Sequence, residues 1–155
     1  MAGTMHIRSE VVSDPVPCEL CQGDGGEILF QHSKLRVVLA DDALYPGLCR
    51  VVWQAHAREM TDLAPTDRAL FMAVVWQVEQ AMRTVLQPQK INLASLGNLT
   101  PHLHWHVIAR NAGDAHFPQP IWGVQQRMPD PATLATTKSL LPQLRESLAR
   151  GRMTL

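Results

Sequence analysis

Polar and apolar positions recur along this chain with two periods, and each period predicts an element type. Short β-rich or alternating segments predict five strands at about 27–32, 35–41, 48–54, 90–95 and 103–109. Ser33-Lys34 forms a hairpin turn between the first two, and 41–47 is a loop. Between the third and fourth strands, Leu70, Phe71, Val74, Val75, Val78, Met82, Val85 and Leu86 recur at steps of three and four, giving one apolar face of a long helix. Thr66 is its expected N-cap, Asp67 complements the dipole of its first turn, and Pro88 ends it. A proline-rich loop, 116–123, leads to a last helical region that starts at Asp130-Pro131 and ends before Gly151, with Pro142 breaking or kinking it near Leu141. Residues 1–16 read as a loose arm, and 17–155 as a single domain. The expected fold is α+β: a five-stranded antiparallel sheet with one long helix and a C-terminal helical region, the helices on one face.

The fifth strand contains the densest chemistry. Within Pro101-His102-Leu103-His104-Trp105-His106-Val107-Ile108 the histidines fall at i, i+2 and i+4. In a strand these three imidazoles share one face, and Leu103, Trp105 and Val107 point the other way, into a core. A single strand histidine is usually a solvated polar residue; three in a row on one face argue for a site. Imidazoles near neutral pH serve as nucleophiles, as proton donors and acceptors, or as metal ligands, and each use needs the ring tautomer fixed by a neighbour.

Composition narrows the setting. Fourteen basic and fourteen acidic residues balance, so no overall basic field attracts nucleic acid or an anionic membrane, and an anionic ligand must be held locally. No apolar run nears the roughly 20 residues that span a bilayer, and the start of the chain has no apolar stretch of signal-peptide type. Three cysteines, an odd count, fit a reducing cytoplasm better than a disulfide framework. Cys18-x-x-Cys21 is half of a zinc site by spacing; a redox pair is the alternative, though no βαβ pattern surrounds it. Cys49, inside an apolar strand, reads as core.

His102-Leu-His104-Trp-His106-Val-Ile fits the signature His-φ-His-φ-His-φ-φ of the histidine triad (HIT) superfamily at every position. Over about residues 18–123 the chain resembles that family, in particular bacterial hydrolases similar to those that cleave diadenosine tetraphosphate. The resemblance implies the same sheet fold, a paired homodimer and a nucleotide substrate. It implies that His104 attacks phosphorus to form a nucleotidyl-histidine intermediate, with His106 and His102 flanking it in phosphate contact and leaving-group protonation. It also implies zinc ligation by Cys18, Cys21, His56 and His102, with His102 then given to the metal. Asn92, Gly97 and Asn98 match positions that contact phosphate and sugar, with the spacing from Asn92 to Asn98 one residue short. Asp41, in preference to Asp42, matches the ribose-binding acid. Where the family reads Pro-Gly-His, this chain reads Pro46-Gly47-Leu48, so the supporting fourth histidine is absent; His32 and His116 are the candidates to replace it.

Three functions remain open at this point. One is a nucleotide-phosphate hydrolase or transferase acting on dinucleoside polyphosphates or nucleoside phosphoramidates. The second is a nucleotide-binding protein with little turnover. The third is a zinc-stabilised binding module whose histidines serve only metal or structure.

Overall fold

A computed structural model describes residues 17–150, with the side chain of Arg150 left out. The predicted arm at 1–16 and Gly151 lie outside the described residues. Five strands form one sheet: β1 (Glu27–Gln31), β2 (Leu35–Leu39), β3 (Cys49–Trp53), β4 (Lys90–Ala94) and β5 (His104–Arg110). Three helices accompany them: α1 (Glu19–Gln22), α2 (Pro65–Leu86) and α3 (Pro131–Arg150). The strand order is β1-β2-β3-β5-β4 and every pairing is antiparallel. The first three strands form a meander. The chain then crosses over through α2 to the far edge, and β5 returns into the gap between β3 and β4, so the histidine strand is flanked on both sides.

Two-residue alternation divides the sheet into two unlike faces. Leu35, Val37 and Leu39 of β2, Cys49, Val51 and Trp53 of β3, Ile91 of β4, and Val107 of β5 are buried on one face, with Leu103 just before β5. They pack against Phe71, Val74, Val75, Val78 and Met82 of α2 and against Leu144 and Leu148 of α3. The opposite face carries Arg36, Arg50, His104, His106 and Asn92, and is covered only in part. Leu20 of α1 seals Val38 and Val52 at one end, and Tyr45, Leu48 and Ala40 pack on Ile108 at the other.

The predicted five-stranded α+β arrangement is therefore the observed one, with strand ends shifted by one or two residues. Three local expectations change. The long helix begins at Pro65 with Ala64 as its N-cap, placing Thr66 inside the first turn. Proline's fixed φ suits that position and its missing N–H would have had no intrahelical partner there. Pro142 does not break the last helix, which runs unbroken through it. Proline removes one i→i−4 hydrogen bond there, but Leu144 and Leu148 beyond it are buried and hold the second half against the core. The short α1, carrying the Cys-x-x-Cys pair, sits on the histidine face, not with the two long helices. Cys49 is fully buried as expected, and burial pushes its thiol up to about 12. Among the described residues no helix is long and apolar enough to cross a membrane.

Candidate active site and metal centre

The Cys18-x-x-Cys21 pair lies on one turn of chain over the start of β5. His102 Nδ1 is 3.4 Å from both Cys18 Sγ and Cys21 Sγ, and Cys21 Sγ is 3.3 Å from His56 Nδ1. The four donor atoms all lie within 4.8 Å of one another. Ligands of a tetrahedral metal with Zn–S near 2.3 Å and Zn–N near 2.0 Å stand about 3.5 Å apart, so the quartet has the dimensions to hold such an ion. The tautomer is also correct. His102 Nε2–H donates to the Trp53 carbonyl at 2.7 Å, which turns the lone pair of Nδ1 toward the thiols. His102 is fully buried and burial lowers its basicity, keeping it neutral, as a ligand must be.

His104 comes next on the same face. Its Nδ1–H donates to the His102 carbonyl at 2.6 Å, so Nε2 carries the free lone pair. Burial and then the charge of Arg50 lower its basicity, although the bond to His102 opposes them. Ser95 Oγ–H donates to the His104 carbonyl at 3.2 Å, tying the strand to the loop after β4. The His106 ring meets that of His104 edge-on at 4.8 Å between centroids. Burial, His104 and Arg50 together push His106 down to about 4. Its Nδ1 is buried with no hydrogen-bond partner among the described residues. At neutral pH both rings are therefore uncharged.

Trp122, from the proline-rich loop, closes the other side of His106, its ring 4.9 Å away and edge-on. It is half exposed. What holds this loop is a buried network that sequence reasoning did not anticipate. Arg110, at the end of β5, makes a two-point ion pair with Asp114 at 2.8 and 3.0 Å, donates to Asn92 Oδ1 at 2.6 Å, and reaches the Gln119 carbonyl at 2.8 Å. Asp114 also accepts from the backbone N–H groups of Asn111, His116 and Phe117 and from the Tyr45 hydroxyl. Burial raises the Asp114 carboxyl, but Arg110 and these donors outweigh it and hold it below the ordinary value. Burial, and then the Asp114 charge, push the Tyr45 hydroxyl up to about 12.

The other expected residues are distributed more widely. Asn92 pairs across from Ile108 and its side-chain oxygen is already engaged by Arg110. Gly97 and Asn98 lie in the loop after β4, lining a cleft of about 1000 Å³ together with Cys18, Glu19, His56 and Arg58. His104 and His106 do not line that cleft, which lies on the metal side of the triad. Asp42 is used in a turn, accepting from the N–H groups of Leu44 and Tyr45 at 2.9 and 3.0 Å. Asp41 is exposed, and no hydrogen bond engages it among the described residues. Leu48 packs under Ile108. Neither proposed substitute fills its place beside the triad: His116 accepts from or donates to the Tyr45 hydroxyl at 2.6 Å, and His32 accepts from the Lys34 N–H in the β1–β2 turn. Arg50, opposite His106 on β3, was not anticipated as a site residue. An arginine in the middle of an apolar strand was the available signal.

The HIT domain family matches residues 25–113, more than half of the chain. This chain belongs to the HIT family. Among solved structures it is similar to a histidine triad protein from Bradyrhizobium japonicum, at 32% identity and a TM-score of 0.61, covering 76% of this chain and 91% of that one. A histidine triad protein from Marinobacter aquaeolei VT8 is 28% identical with a TM-score of 0.64, covering 84% and 96%. A zinc-bound histidine triad family protein from Mycobacterium smegmatis, 24% identical with a TM-score of 0.57 over 86% and 91%, shares the fold. A curated AP-4-A phosphorylase from Mycobacterium tuberculosis is 32% identical over 78 residues, 46% of this chain. The match spans only 40% of the length of that relative.

Removing one partner of the buried Arg110–Asp114 pair leaves the other charge uncompensated. Asp114→Ala should therefore lower stability at neutral pH by about 3–5 kcal/mol, measured by urea unfolding. Because the folded-state carboxyl is held below its ordinary value, its contribution is present above about pH 4 and declines as pH falls through the depressed value. The acid limb of the wild-type stability curve should flatten in the variant. A change under about 1 kcal/mol with an unaltered acid limb would show that the network is not holding the loop.

Proposed function

We propose that this HIT protein is a nucleotide-phosphate hydrolase or nucleotidyl transferase. It acts at the α-phosphate of dinucleoside polyphosphates or nucleoside phosphoramidates through a nucleotidyl intermediate on His104. The observation that carries this reading is the His104 tautomer: Nδ1–H is fixed on the His102 carbonyl, and Nε2 presents an unprotonated lone pair at the centre of the row. A neutral imidazole held in this way is a competent nucleophile near neutral pH. His104 Nε2 bonds to phosphorus as the bond to the leaving group breaks, and water or another acceptor then resolves the adduct. His106 stands beside it for phosphate contact and proton transfer, with its Nδ1 buried and unpartnered among the described residues; the negative charge of a bound phosphate would raise its low basicity. Gly97 and Asn98 and the exposed carboxylate of Asp41 are the proposed phosphate and ribose contacts, and Asn92 acts with them through Arg110. The AP-4-A phosphorylase relative supports a dinucleotide substrate. A second reading, nucleotide binding with little turnover, is favoured by one observation: Leu48 supplies no imidazole to the triad.

Zinc is the proposed occupant of the Cys18, Cys21, His56 and His102 quartet, as a structural ion. When bound it would supply a closed tetrahedral clamp joining α1 to the start of β5. The chain's own residues already orient His102 for this. Metal analysis should find about one zinc per chain, and Cys18→Ser should lose it together with thermal stability. Equal zinc content and melting temperature in the two proteins would eliminate the centre. Free thiols at Cys18, Cys21 and Cys49 fit a reducing compartment such as the cytoplasm.

A homodimer is also proposed, built at the open edge of the sheet, where β4 has a neighbour on one side only. Light scattering at micromolar concentration should give about twice 17.3 kDa; a single 17.3 kDa species would dismiss it.

The decisive experiment concerns His104. Incubation with diadenosine tetraphosphate, acid-free quenching and mass spectrometry should reveal a nucleotidyl adduct on His104 of the wild type. His104→Ala should lose the adduct and reduce turnover by more than the about 10²–10⁴-fold typical of an acid–base group. Its fold should survive, since Leu103 and Val107 still fill the core. An adduct on His106, or undiminished turnover in the variant, would reject the assignment.

A further inference from the structure

We propose that Arg50 binds the non-bridging oxygens of the phosphoryl group transferred at His104. This inference rests on the reading of the triad as a nucleotidyl-transfer site and assigns that site a residue outside the histidine motif.

Two arginines project from the middle of the sheet onto the histidine face, and their surroundings differ. Arg36 of β2 is 3% exposed and satisfied on every side. It donates to the carbonyls of Leu20, Gly23 and Asp24 and to Gln54 Oε1, at 2.7–3.1 Å. It is a clamp that fixes α1 and the following turn to the sheet. Among the described residues Arg50 of β3 makes one hydrogen bond, from Nη1 to the Gly25 carbonyl at 3.2 Å. Its Nε is buried without a partner, and no carboxylate pairs with it among the described residues. A guanidinium offers five N–H donors, and buried donors in folded proteins are normally satisfied. Among the described residues the buried Nε of Arg50 therefore has no acceptor, and the Nη groups engage only the Gly25 carbonyl, which leaves donors of this guanidinium open to a ligand.

Register identifies what that is. Arg50 pairs directly across from His106, so the two side chains stand on the same face at the closest cross-strand spacing. Val52, next on that face, pairs across from His104. Arg50 thus stands beside His106 and diagonally from His104, the nucleophile of the proposed reaction. Leu48 precedes it by two residues on the same strand face, where it packs under Ile108. The third strand thus presents a guanidinium to the triad in place of an imidazole.

The chemistry follows from an arginine that stays protonated throughout. As His104 Nε2 forms its bond to phosphorus, the bond from phosphorus to the leaving oxygen breaks and the electron pair departs with that oxygen. Negative charge on the remaining oxygens is then met by hydrogen bonds from Arg50, which donates no proton. In the second half water attacks phosphorus, the N–P bond breaks with its pair returning to Nε2, and the proton of the water passes to solvent. A planar guanidinium can engage two phosphate oxygens at once, which an ammonium cannot.

The test compares wild type, Arg50→Ala and Arg50→Lys, each checked for melting temperature and metal content. It measures single-turnover cleavage of diadenosine tetraphosphate, AMP affinity by calorimetry, and rescue by added guanidinium chloride. Arg50→Ala should lose about 10²–10³-fold in kcat, with a smaller change in KM, and should bind AMP more weakly. Guanidinium should restore part of the rate, and Arg50→Lys should recover only part of it. If Arg50→Ala fails to fold, Arg50→Lys carries the comparison, and a wild-type rate there overturns the proposal. An active wild type with an equally active, folded Arg50→Ala overturns it while leaving the triad reading intact. A wild type that neither forms an adduct nor binds AMP overturns both.

Discussion

The position of β5 between β3 and β4 is the constraint on which the molecule is organised. A strand flanked on both sides has its backbone groups paired and its register fixed, so the only freedom left to its side chains is which face they take. Leu103, Trp105 and Val107 fill the core beneath α2, and that burial forces His102, His104 and His106 onto the opposite face. A slip of one residue would turn the imidazoles into the core beneath α2 and the core residues onto the opposite face. The reactive row is thus held in place by the same hydrophobic packing that stabilises the domain.

Along that face the site grades from structure to chemistry. At one end His102 is turned by the Trp53 carbonyl toward two thiols. In the middle, the carbonyl of His102 itself fixes the His104 tautomer. At the other end His106 and Trp122 form an edge-on aromatic wall whose loop hangs from the Arg110–Asp114 pair. Orientation passes from residue to residue through backbone carbonyls, so a disturbance at the Cys/His quartet, of which His102 is a member, reaches His104 through one hydrogen bond.

Electrostatics on this face is set by burial. Desolvation lowers the basicity of all three histidines, and the charge of Arg50 lowers that of His104 and His106 further. The free site is therefore built to receive negative charge without carrying protonated imidazoles, which suits an anionic phosphate and a neutral attacking nitrogen.

Local pattern determined a great deal of this protein. Period-two and period-3.6 signals placed five strands and the first long helix, because each element buries one stripe written in nearby residues, and the end signals Asp130-Pro131 and Gly151 placed the last helical region. The same alternation put three histidines on one face, and the Cys-x-x-Cys spacing marked half of a metal site; His56 and His102 were added to it by the resemblance to the HIT family, and the fold brings the four within 4.8 Å. Tertiary structure decided the rest. Pro142 stays helical because Leu144 and Leu148 are anchored by distant neighbours, a contribution no local propensity contains. Asn92 is committed to Arg110 because β4 and β5, 18 residues apart at these positions, pair in the sheet, and Trp122 reaches His106, 16 residues before it, only once the loop after β5 folds back. Arg36 and Arg50 look alike in sequence, each an arginine within an apolar strand. Only the count of acceptors around each guanidinium separates a saturated clamp from an unsatisfied one, and that count depends on where α1 and the glycine turn settle against the sheet.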